Sequence, residues 1–145
     1  MTSYKDVFDV FWRNIEDDDI ANLTESDRHA VCLEYMESAI AMIQLNALKT
    51  SNDFDNRDNE LARFLFDMPN REVLGLAYYM VVAWYEPRVN SLEHTTMFWG
   101  SKDERWTDQK KHWEETRHTQ EYYRVKARKF FRNYSSRNNS YLSGE

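Results

Sequence analysis

A chain of 145 residues with a formal net charge of −6, 41% hydrophobic and 15% aromatic, fits one domain with a modest core and excludes disorder over most of its length. Three glycines and two prolines leave little turn chemistry for a many-stranded sheet, so a few long helices are expected. The single cysteine, Cys32, excludes an internal disulfide and a multi-thiolate zinc site, and fits a reducing compartment.

Taken in chain order, Tyr4 to about Ile15 predicts a short helix with Val7, Phe8, Phe11 and Trp12 on one side. The acidic cluster Glu16 to Asp19 interrupts it. The opening residues MTSYKDVFDVFW lack the basic segment and apolar run of a secretory signal, so none is expected and the Asn-x-Ser/Thr sequons carry no weight. Thr24 followed by Asp27 reads as an N-cap with a carboxylate in the first turn. The helix it opens should reach about Leu48, with Cys32, Met36, Ile40, Ile43 and Ala47 on one face. The loop KTSNDFDNR then leads to a short predicted helix, Asn59 to Phe66. Asp67-Met68-Pro69-Asn70 reads as its end and the next start, with Asn70 as the cap.

Val73 to Tyr85 (VLGLAYYMVVAWY) is a run of 13 residues without charge in a chain that is 30% charged. A helix apolar on every side belongs inside a bundle or a membrane, and this run is well short of the roughly 20 residues that cross a bilayer. It is predicted as the central core helix, away from any membrane, with Pro87 ending or kinking it. A second apolar segment, Val89 to Trp99, should stop at Gly100. From about Thr107 to Asn133 the chain reads as one long charged helix, with Trp113, Thr116, Tyr123, Ala127, Phe130 and Tyr134 near one face. At about 1.5 Å per residue it is near 40 Å long, more than a small domain can cover. The expected fold is all-α: a single-domain helical bundle over residues 1–134, with a buried central helix, a long C-terminal helix and a flexible tail, 135–145, that orders on binding.

The net charge hides a division. Residues 1–99 carry 8 Lys and Arg against 18 Asp and Glu, net −10, and residues 100–145 carry 11 against 7, net +4. Such polarity suits two ends that meet partners of different sign, or each other in an oligomer; it also suits acidic and basic helices packed side by side within the fold.

Few constellations point to chemistry. Asp53, Asp55 and Asp58 suggest a calcium loop, but Arg57 stands where an oxygen ligand is needed and the Gly and closing Glu are missing. Glu115 and His118 form one Glu-x-x-His step where a di-iron bundle needs two, and Asp17 to Asp19 point in different directions. There is no phosphate-binding Gly loop, nucleophile elbow or Cys/His pair, so no enzyme, metal or cofactor is expected. Tyr122 to Arg137 is different: six cations, no anion, and interleaved aromatics that suit phosphates or an acidic protein surface.

The stretch Leu76 to Ser91, LAYYMVVAWYEPRVNS, has Leu-Ala, then Met-Val, then Trp, then Pro with Asn-Ser just after. This pattern resembles that of the head-to-tail connector (adaptor, or neck) proteins of tailed bacteriophages that infect Gram-positive bacteria. A second block, Ser101-Lys102-Asp103 with Gln109 and His112, follows at the family's distance and opens the long final helix. It departs from the family's usual residues at Glu104 and at Asp108 to Lys111. The likeness covers about residues 23–134. It implies a structural virion protein, made in the host cytoplasm, that forms a ring, commonly of twelve copies, beneath the portal. The ring would extend the DNA channel and link the capsid to the tail, with genomic DNA passing through it without sequence-specific binding. The acidic half would line the channel. Arg124, Arg128, Lys129, Arg132 and Tyr134, with Tyr141 and Leu142 of the tail, are the candidate contacts to the portal, a neighbouring neck or tail protein, or a sister subunit. The isolated chain is expected to be monomeric or weakly associated until the portal templates the ring. Two alternatives stand beside this: a helical nucleic-acid-binding or regulatory protein using Arg124 to Arg137, and an enzyme with a carboxylate-bound metal.

Overall fold

The computed structural model describes the backbone of residues 1–99 and 104–138 and the side chains of residues 1–97 and 105–131. The fold is all-α, as expected, with helices α1 (Tyr4–Arg13), α2 (Asp18–Ala21), α3 (Glu25–Leu45), α4 (Asn70–Trp99) and α5 (Glu104–Asn138). A small hairpin of β1 (Arg57–Asp58) and β2 (Arg63–Phe64) lies between α3 and α4. Helix α4 is the centre, and α1, α3 and α5 all pack on it. Among the described residues no helix is long and apolar enough to cross a membrane.

Helices α1 and α3 follow the local signals closely, whereas α2 was not expected: it starts within the acidic cluster read as an interruption, capped by the Asp17 carboxylate. The Ser3 hydroxyl caps α1 by accepting the Lys5 amide, and Tyr4, Val7 and Phe11 are fully buried beneath it. Thr24 Oγ1 caps α3, accepting the Asp27 amide at 3.2 Å. Cys32, Met36, Ile40 and Ile43 form the buried face of α3. This helix ends at Leu45, before the expected Leu48. Asn46 donates its side-chain amide to the Met42 carbonyl, and Ala47 turns to a φ of 52°. Ala47 therefore lies exposed and does not join the core face.

The helix expected from Asn59 to Phe66 is instead the β1–β2 hairpin, with Arg57 opposite Phe64 and Asp58 opposite Arg63. Its turn is held by Asp58, whose carboxylate accepts the amides of Glu60 (2.9 Å) and Leu61 (3.1 Å). The chain's first residues then add to β2: Phe64 donates to the Thr2 carbonyl at 2.8 Å, and Thr2 donates to the Phe66 carbonyl at 3.0 Å. Phe64, fully buried, is ringed by Tyr4, Phe54 and Phe66. Pairing across more than 60 residues and one aromatic cluster override a weak local helical preference.

Two further corrections concern α4. Asn70 is its first helical residue and not its cap, because the Pro69 carbonyl takes the amides of Glu72 and Val73. Pro87 does not end the helix; α4 continues through it to Trp99. Proline removes the amide that would serve the carbonyl four residues back, here Ala83, and crowds that turn. Side-chain donors serve the carbonyls on either side of the gap: Gln120 of α5 reaches the Val82 carbonyl at 3.3 Å, and Arg88 reaches the Trp84 carbonyl at 2.6 Å. The stop expected at Gly100 lies outside the described residues.

The buried run is as expected. Of the residues from Val73 to Tyr85, none is exposed, and Leu76, Ala77, Met80, Val81 and Val82 are fully enclosed. Beyond Pro87 burial falls away: among the described residues only Val89 and Thr96 of α4 are buried there, and none of α5 before Gln120. These halves of α4 and α5 form a two-helix arm. Its half-buried Trp106 and Trp113 are each covered by a cation of their own helix, Lys110 at 4.9 Å and Arg117 at 5.0 Å. Helix α5 has 35 residues, so it is about 50 Å long and extends past both expected ends. Ser135 to Asn138 therefore belong to the helix, leaving 139–145 of the expected tail outside the described residues.

Helix α5 lies directly over α4 at Gly75, where a Cβ would sit 2.6 Å from Cε2 of Phe131. Phe131 is fully buried, and Phe130 of the expected face packs beside it on the Tyr78 ring at 5.6 Å. Gly75→Ala should destabilise the fold by about 1–3 kcal/mol despite its better helix propensity. A melting temperature unchanged or raised in thermal denaturation would contradict this packing. Trp84→Ala, which empties the base of the arm, should cost about 3–5 kcal/mol in the same assay.

Candidate partner-binding face

The register of α5 is set by what it buries. Gln120, Ala127 and Phe131 face α4, so Tyr122, Val125 and Lys129, offset by roughly half a turn, face outward. Tyr122 is 58% exposed and Val125 45%, an apolar pair in open solvent on an otherwise charged helix. Lys126 flanks them. Its ammonium lies 5.0 Å from the Tyr78 ring and 5.6 Å from the Tyr122 ring, and donates to the Tyr122 hydroxyl at 3.4 Å. The Tyr122 hydrogen bond, then Tyr78, raise its pKa above the usual lysine value, so it stays charged.

The sequence-derived contact residues separate on this surface. Arg128 and Lys129 are exposed and reach solvent. Arg124 turns toward the α4–α5 seam: it donates to Glu121 at 2.5 Å and lies 4.0 Å from Glu86, whose carboxylate also accepts Gln120 at 2.5 Å. Arg124 thus serves the helix pair before any partner. Arg132 and Tyr134 belong to α5, but their side chains, like Tyr141 and Leu142, lie outside the described residues. Tyr122 and Val125 were not singled out from the sequence. A helical wheel anchored on Gln120 and Ala127 would have found them.

The titratable groups inside the body act as structural anchors. Asp17, of the triplet Asp17 to Asp19, has a side chain only 7% exposed. It accepts the Trp84 indole at 2.9 Å, Arg88 Nη2 at 2.7 Å and the Ile20 amide at 3.2 Å. Arg88 in turn lies 3.6 Å over the Trp84 ring. Burial pushes the Asp17 carboxyl up, but the Trp84 and Ile20 hydrogen bonds and the Arg88 charge outweigh it and hold its pKa below 3.8. Glu72 is fully buried on α4 and accepts both the amide and the hydroxyl of Ser51, each at 3.0 Å. Burial dominates there and raises its pKa above 4.5.

Asp53, Asp55 and Asp58 are committed to their own loop: they accept the Asp55 amide, Arg57 and Gln44, and the turn amides respectively. A cleft of about 300 Å³ between α1 and α3 is lined by Phe8, Trp12, Arg28, His29 and Cys32. Burial lifts the Cys32 thiol to about 11, so it is protonated and a poor nucleophile at neutral pH. Among the described residues no group of three or more His, Cys, Asp and Glu side chains is placed to hold a metal ion.

Comparison of the chain with protein-family models, with curated proteins and with solved structures finds no match.

The two buried carboxylates predict opposite responses to pH. Asp17, with its folded-state pKa below its unfolded value, contributes stability that is present above pH 3.8 and fades as pH falls toward the lower folded value. Asp17→Ala should cost about 2–3 kcal/mol at neutral pH by leaving the Trp84 and Arg88 donors unpaired. Glu72 holds its proton more tightly in the folded state, so its contribution declines as pH rises above 4.5 until the folded value is passed. Glu72→Gln should therefore gain on the parent chain as pH rises above 4.5 toward neutrality. Melting temperatures measured across that range check this; a constant gap would contradict it.

Proposed function

We propose that the chain is a structural connector of a tailed bacteriophage, an adaptor that forms a ring beneath the portal, extends the DNA channel and links capsid to tail. The observation that carries this reading is the separation of charge over the fold. Residues 1–99, which build α1 to α4, carry a net −10, whereas α5 displays Lys126, Arg128 and Lys129 around exposed Tyr122 and Val125. An acidic wall repels DNA phosphates and lets the duplex slide without sticking. A basic face with exposed apolar residues suits attachment to a protein surface.

The connector-like stretch Leu76 to Ser91 adds support, because its distinctive positions have defined structural work. Leu76, Ala77, Met80 and Val81 fill the core, Trp84 seats on Asp17, and Pro87 stands where the arm leaves the body. A protein of this kind works by shape and contact, and needs no catalytic constellation. Many weak contacts repeated around a ring give firm attachment even where one is feeble.

The test is cosedimentation with tailless capsids of the phage that encodes the chain. Full-length protein should pellet with portal-bearing capsids and not with capsids that lack the portal. A chain ending at Asn138 should keep its helical content while losing roughly tenfold or more of that attachment, because Tyr141 and Leu142 are its expected anchors. Absence of attachment by the full-length chain would sink the connector reading. Salt-sensitive DNA binding by the free chain would move the basic face to a nucleic-acid role.

A further inference from the structure

We infer that the outer face of α5 docks, antiparallel, on the outer face of α3 of a second copy of this chain. Helix α3 turns Glu34, Glu37, Ser38, Ala41 and Leu45 to solvent, the last 85% exposed. Among the described residues neither Glu34 nor Glu37 has an ion-pair partner, and neither do Lys126, Arg128 and Lys129.

The two faces match in period as well as in sign. Glu34 and Glu37 are three apart, and so are Lys126 and Lys129. Laid antiparallel, Lys129 meets Glu34 and Lys126 meets Glu37. The same register sets Val125 on Ser38 and Tyr122 on Ala41. Each bulky residue of α5 then faces a small one of α3, which lets the helix axes approach closely. Opposed helix dipoles add to the fit.

A second copy is the occupant because one chain cannot make this contact with itself. Helices α3 and α5 pack on α4 and scarcely touch each other, so their outer faces lie on separate flanks of the body. The contact is therefore heterologous: every copy offers both faces, and repetition gives a closed ring or an open helix. Exposed ion pairs are individually weak and screened by salt, so the free chain associates only feebly at low concentration. The inference supplies the sister-subunit contact of the connector reading, on which its biological setting rests, but the docking itself is tested without capsids.

The experiment is disulfide trapping at high micromolar concentration and low salt. A chain carrying both Ser38→Cys and Val125→Cys should give a ladder of covalent oligomers on oxidation. Ser38→Cys chains mixed with Val125→Cys chains should link to each other at least about tenfold faster than either links to itself. The native Cys32 is buried and silent. Lys126→Glu with Lys129→Glu should abolish the linkage, and Glu34→Lys with Glu37→Lys in the partner should restore it. Circular dichroism of each variant reports that it is folded. Self-linkage as fast as the mixed reaction, or linkage indifferent to charge reversal, would overturn the docking. A ladder without capsid attachment would remove the connector reading and leave the docking; attachment without a ladder would do the reverse.

Discussion

The fold depends on the burial of one uncharged helical segment. Val73 to Tyr85 has no solvent side, so it must be surrounded, and α1, α3 and α5 are the elements that surround it. That requirement places α3 and α5 on separate flanks and keeps their outer faces apart. It also makes Gly75 a contact point, since the Phe131 ring lies where any side chain would. Where the uncharged run ends, polar fastening takes over. Asp17 binds Trp84 and Arg88, tying the α1–α2 connection to the turn of α4 just before the arm.

Much of this was legible locally. The apolar spacing of α1, the Thr24 cap and the core face of α3 are short-range signals, and each appears as read except Ala47, which falls past the end of α3. The uncharged run was legible because a charge-free stretch in a highly charged chain has few places to go. What failed was long-range. The hairpin at 57–64 exists because Thr2 pairs with Phe64, and nothing within those residues announces a partner more than 60 positions away. Pro87 reads locally as an end or a kink, yet α4 runs through it to Trp99, and Gln120, 33 positions downstream, donates to the Val82 carbonyl in the turn before it. The Asp17 clamp is equally silent in the sequence, being closed by residues 67 and 71 positions away.

The candidate face was half legible. A run of cations without anions is visible by inspection, and Arg128 and Lys129 do reach solvent. Which members of the run are free depends on the rotational setting of α5, fixed by Ala127 and Phe131 against α4. That setting turns Arg124 inward to Glu121 and Glu86 and turns Tyr122 and Val125 outward. Charge alone leaves phosphates and an acidic protein surface both open. The apolar pair at the centre of the basic face, and the matching acidic face on α3, favour a protein partner.

Native-state hydrogen exchange tests the organising role of α4 most directly. If α4 is the enclosed centre, its amides from Leu76 to Trp84 exchange slowest in the chain, through global unfolding alone, while those of the arm beyond Pro87 open locally and exchange much faster. Protection in the arm equal to that of Leu76 to Trp84, or rapid exchange within that segment, would contradict the account.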